Sequence, residues 1–158
     1  MNKTTDAHIL VRLTYASRAN PDIKSADVDA ILAQARENND INGITGSLTF
    51  NKQFFLQTVE GPRAQINRLL LSLLSDQRHH DLQVFETSEI NMREWSDWSM
   101  NYASPSESNR ACYLKYSTTI DFNPFLLNAE SARALLRELR VKRSVATALK
   151  NKSETRST

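Results

Sequence analysis

The sequence is poor in the residues that staple or punctuate small proteins: its 158 residues include one cysteine, three glycines and four prolines. Cys112 has no second cysteine with which to form an intrachain disulfide or hold zinc, so neither a disulfide scaffold nor thiol redox chemistry is indicated. A chain of this length buries roughly two thirds of its unfolded surface and can fold without either. No apolar run approaches the roughly 20 residues that cross a bilayer, the longest being interrupted by Arg12, Arg68 and Asp76. Asp6 falls where a signal peptide would carry its apolar segment. The expectation is a single compact domain, soluble and cytoplasmic. Gly43 and Gly46 precede a strand pattern and lack the strand-to-helix setting of a P-loop or a dinucleotide-binding turn. Glu86 and Glu89 pair without a nucleophile, and His79 and His80 have no spaced third ligand, so neither a hydrolase nor a metal site is indicated.

Charge is nearly balanced at a formal +2, but residues 129–158 hold eight Lys/Arg against three Glu. A solvated helix face is the usual meaning of such a cluster, and contact with nucleic acid is not favoured. Arg133, Arg137 and Arg140 fall on the outer side of the last helical pattern, as an interface or as a solvated stripe.

Hydrophobic periodicity gives the order of elements. His8 to Ser17 alternates, with Ile9, Val11, Leu13 and Tyr15 on one face, and reads as a strand. Val28, Ile31, Leu32 and Ala35 then mark a helix from about Ala26 to Asn38, with Ser25 as N-cap. Asn38 and Asn39 continue its inward stripe. Gly46 to Phe50 and Phe54 to Glu60 form a hairpin about Asn51 and Lys52. Both faces of its second strand are largely apolar, so something must cover each side. Gly61 and Pro62 open a second helix with an Ile66, Leu69, Leu70, Leu73 and Leu74 stripe, ended by DQRHHD. Leu82 to Thr87 is a fourth strand and Trp98 to Ala103 a fifth. The order βαββαββ predicts an α+β, ferredoxin-like mixed sheet. Phe122 to Leu127, and the Ala132, Leu135, Leu136 and Leu139 pattern behind Asn128, are helices placed to cover the second face.

Several polar residues fall at apolar positions. Gln57 shares a strand face with Phe55 and Val59, and a buried amide without partners costs about 1 to 3 kcal/mol. It is either a satisfied core amide or the reader of a polar, planar ligand edge. Tyr15 is an ordinary core tyrosine or, with Gln57 as its hydrogen-bond partner, part of a pocket with Asn38 and Asn39. Arg78, His79 and His80 suit phosphate oxygens or a solvated helix end. Trp98 and Met100 could seal an aromatic pocket or fill core.

RLTYAS (Arg12 to Ser17), NNDINGITG (Asn38 to Gly46), FLQTVEGP (Phe55 to Pro62), DQRHHD (Asp76 to Asp81) and WSM (Trp98 to Met100), in that order and spacing, resemble the BLUF family of blue-light-sensing flavoproteins. The resemblance spans roughly residues 8 to 102. It implies a non-covalent flavin, FAD with FMN as the alternative, lying between the two helices against the sheet. Asn39 would hold the polar edge of the ring with Asn38 nearby, Gln57 would meet its N5 and O4 region, and Arg78 and His79 would sit near the ribityl phosphate. Tyr15 matches the photoactive tyrosine, and Ser17, Trp98 and Met100 match the switching environment. The implied mechanism is light-driven electron and proton transfer from Tyr15, recombination, and a Gln57 amide left turned or tautomerised. Signal would leave through Trp98, Met100 and the C-terminal helices. Asn101, where many members have glycine, leaves the form of the last strand open.

The domain plan that follows is a flavin-binding core over 7–103, a helical extension over 104–146 and a disordered tail over 147–158. The resemblance implies a photoreceptor without turnover, acting through a homo-oligomer or a separate signalling protein. A flavin-free interaction module and a flavin-dependent enzyme are the competing readings.

Overall fold

A computed structural model describes residues 8–96, 100–103 and 110–140. Its elements are β1 (Leu10–Ala19), α1 (Ser25–Asn42), β2 (Thr45–Phe50), β3 (Phe54–Pro62), α2 (Arg63–Ser75), β4 (His79–Glu89), β5 (Asn101–Ala103) and α3 (Arg110–Tyr116). A 3-10 turn at Pro124–Leu126 and a helix over 129–140, here α4, follow. The sheet order is β4-β1-β3-β2-β5, with β5 parallel to β2 and the other pairs antiparallel. This is the ferredoxin-like mixed sheet that the element order predicts.

Alternation along the central strands sends side chains into two cores. Val11, Leu13, Tyr15, Phe55 and Val59 meet Val28 and Leu32 of α1 and Ile66 of α2. Ala16 and Leu56 point the other way, against Trp95, Cys112, Tyr113, Phe122 and the Ala132, Leu135, Leu136 and Leu139 stripe of α4. The second face is therefore covered by the C-terminal helices. Asn128 caps α4, its Oδ1 accepting from Ser131 N at 2.8 Å. Arg18 helps dock the extension, with its guanidinium 4.5 Å from the Phe125 ring centroid.

Several boundaries differ from the sequence reading. The first helix runs on to Asn42 and is closed by Gly43 in the left-handed region, φ 69. Lys24, rather than Ser25, stands at its N-cap, and the Asp27 carboxylate accepts from Lys24 N at 2.8 Å. Gly61 and Pro62 finish β3 instead of opening α2: Gly61 pairs with Val11 and lies so close to Gly43 and Ile44 that a Cβ would meet them at 3.1 Å. His79 and His80 are the first residues of β4, paired with Ala19 and Arg18, and not a helix end. Helix α3 had no periodicity to announce it, and the expected helix over Phe122 to Leu127 is only a 3-10 turn. Of the arginines expected on the outer side of α4, Arg137 is exposed and Arg133 and Arg140 are half-buried, and all three have partners. Arg133 reaches Glu86 at 3.3 Å, Arg137 pairs with Glu94, and Arg140 lies over the Trp95 ring at 4.6 Å.

Candidate functional site

Helices α1 and α2 diverge over the first face of the sheet and leave a cleft between them. Ile31, Ala35, Leu48, Phe55, Leu69 and Leu73 form its apolar walls, and Tyr15, Asn38, Asn39, Gln57, Arg78 and His79 bring polar atoms into it. All seven cofactor-binding residues expected from the sequence except Ser17 line this one space. Their burial differs. Asn39 is buried at 3 % exposure, whereas Asn38 is exposed at the mouth, because consecutive helical positions point about 100° apart. The expectation that both amides continue the inward stripe therefore holds for Asn39 alone.

At the back of the cleft the cross-strand register sets Tyr15 directly opposite Gln57. The Tyr15 hydroxyl donates to Gln57 Oε1. Gln57 Nε2 in turn donates to Met100 Sδ at 3.4 Å, a weak acceptor. All three residues are buried. Burial pushes the Tyr15 phenol well above its ordinary value, and the Asp76 carboxylate adds to the shift, so the group rests protonated. Trp98 lies outside the described residues.

At the other end, His79 Nε2 lies 2.7 Å from Leu73 O, which can only accept, and Nδ1 lies 2.7 Å from Ser17 Oγ. In the neutral ring Nε2 therefore carries the proton and Ser17 donates to Nδ1. Ser17, wholly buried, thus acts beneath the cleft by orienting His79. Arg78 is held by Asp76 through a bond of 2.6 Å, which keeps the Asp76 carboxyl below the usual range and raises the guanidinium. Asp76, Gln34 and Ser72 also line the cleft and were not singled out from sequence. The Asp76 to Arg78 spacing was the available signal for one of them.

The donor set suits a flat, mostly apolar ring with an amide-like edge and an anionic tail: apolar walls, amides offering both donor and acceptor, and a cation at one end. A flavin has this chemistry. Residues 10–101 match the BLUF family, described as sensors of blue-light using FAD. The chain belongs to the BLUF family. Among solved structures, the BlsA photo-activated state is 34% identical with a TM-score of 0.75, covering 82% of this chain and 94% of that one. The dark state of BlrB, a BLUF protein, is 31% identical with a TM-score of 0.69, covering 85% and 97%. The photoactivated adenylate cyclase subunit beta of Euglena gracilis is 32% identical over 96 residues, 60% of this chain. The chain spans only 11% of the length of that curated relative. This BLUF chain is thus a flavin-based blue-light sensor. Among its described residues no group of His, Cys, Asp and Glu could hold a metal ion, and no helix is long and apolar enough to cross a membrane.

Proposed function

We propose that Tyr15 is the electron and proton donor of this photoreceptor and Gln57 its switch, with the response carried by Met100 to the C-terminal helices. The observation that carries the reading is the buried chain from the Tyr15 hydroxyl through the Gln57 amide to Met100 Sδ. A bound flavin, excited by blue light, supplies an electron acceptor. Tyr15 can give up an electron and a proton together, since a neutral phenol whose hydroxyl already points at Gln57 Oε1 has a receiver for the proton. The return of the electron and proton leaves the phenol as it began and the Gln57 amide turned or tautomerised. Either outcome exchanges donor and acceptor ends. The bond from Nε2 to sulfur is the one most easily surrendered, so Met100 is the first residue outside the pair to register the change.

Asn39 and Asn38 would hold the polar edge of the ring, and Arg78 and His79, oriented by Asp76 and Ser17, would face the phosphate. The flavin of this reading is FAD, the cofactor in the description of the family, with FMN as the alternative, and cofactor extraction identifies which is bound. By its place in the WSM motif, Trp98 is assigned to the same switching role in this reading. In this reading residues 7–103 form the sensing core, and 104–146 an extension that passes the signal to a separate signalling protein or a second copy of the chain.

Two variants test the assignment. Gln57→Leu (Q57L) is expected to keep its flavin and lose the light-induced red shift of the absorption band. Tyr15→Phe (Y15F) should bind flavin and lose the productive electron-transfer path in transient absorption. A normal shift in the first, or a normal photocycle in the second, removes that residue from its role.

A further inference from the structure

Glu60 is a wholly buried carboxylate on the sheet face away from the cleft, and the photochemistry has no use for it. Its surroundings account for its charge. Oε2 accepts from Arg12 Nε at 3.2 Å and Nη2 at 3.0 Å, while Oε1 accepts from two backbone N–H groups, Glu94 at 2.9 Å and Trp95 at 2.8 Å. Four donors satisfy an ion that would otherwise be very costly to bury. Two of them belong to the segment between β4 and β5.

The same segment is gripped from both sides. Arg93 spreads its guanidinium over Thr45 Oγ1 at 2.9 Å, Glu60 O at 3.0 Å and Gly43 O at 2.7 Å, fixing it to the ends of α1, β2 and β3. Helix α4 holds Glu94 through Arg137 and through Arg140 Nη1, which donates to Glu94 O at 3.0 Å. Trp95, 1 % exposed, is packed in the second core beneath that helix. Five positions later Met100 is buried in the first core, where it accepts from Gln57. One short piece of chain thus has one end at the switch and the other in the core of α4.

We infer that Glu60 is the positioning residue of an output latch: in the dark it holds Glu94 and Trp95 against α4, and displacement of Met100 strains this hold and loosens the helix. The inference rests on the photoswitch reading above and adds where the signal is restrained. An amide in place of the carboxylate cannot serve, because its NH2 group would face either the two backbone donors or the guanidinium of Arg12.

Amide hydrogen exchange on the flavin-loaded protein, with an absorption spectrum of each sample, tests this. In the wild type, light should speed exchange over 129–140 by roughly tenfold. Glu60→Gln should raise dark exchange there to about the lit wild-type level, leave less than about a twofold further response to light, and keep the red shift. Dark exchange over 129–140 that stays at the wild-type rate overturns the latch, as does a rise shared equally with α1, which marks a merely structural role. If Glu60→Gln does not fold, Arg137→Gln combined with Arg140→Gln must loosen α4 in the dark, and unchanged exchange in that variant overturns the proposal. A wild type without a red shift removes the photoswitch reading itself; a red shift with no light response in α4 removes the latch alone.

Discussion

In the proposed photocycle Tyr15 has to hold its proton until the moment of transfer, and its burial is what keeps it there. Desolvation raises the phenol far above the ordinary tyrosine value of about 10. The folded chain therefore binds this proton more tightly than the unfolded chain does. Its contribution to stability is complete below pH about 10 and is lost as the pH climbs through the folded-state value. The light-induced shift is accordingly expected to keep its amplitude from pH 7 to about 10, measured by difference absorption on the folded protein. An amplitude that halves at or below the ordinary phenol value would show that Tyr15 is not the buried neutral donor. The pairing of Tyr15 with Gln57 could be read from strand alternation, since both fall on the inward face of neighbouring strands. Glu60 could not: a glutamate near a strand end looks solvated until β1 with Arg12, and the segment after β4 with Glu94, are in place.

Element boundaries were legible where periodicity ran long and were lost where close approach decides them. Gly61 and Pro62 resemble a helix opening in sequence, yet the sheet claims both because Gly61 lets the β3 backbone pass against Gly43 and Ile44. His79 and His80 look like a polar helix end, but pairing with β1 extends β4 back to them. Gly46 shows the same cause within the hairpin. It sits opposite Val59, and a Cβ there would lie 2.2 Å from Thr58 O, a backbone atom that cannot swing aside. Gly46→Ala is expected to destabilise the fold by about 1–3 kcal/mol, read from the midpoint of chemical unfolding. A change within about 0.5 kcal/mol would mean that the β2–β3 pairing tolerates the strain.

At the scale of the whole molecule, one sheet separates two cores with different tasks. The first face carries the cleft, and the second carries a helical layer bound by apolar packing and by arginines that reach Glu86 and Glu94. That layer was expected from the two apolar faces of β3 alone. Its ion pairs were not, because the charge cluster in residues 129–158 reads in sequence as a free surface, and only the placement of Glu86 on β4 and of Glu94 in the segment after it gives Arg133, Arg137 and Arg140 partners. Trp95 lies in the second core and Met100, five positions on, in the first, so a change at Gln57 that reaches Met100 through its hydrogen bond bears on a segment anchored in both. The photochemistry is read from the visible absorption of the purified, flavin-loaded protein in darkness and immediately after blue light, followed through thermal recovery. A small red shift that reverses in the dark is the expected result. Bound flavin whose spectrum is the same before and after illumination would contradict it.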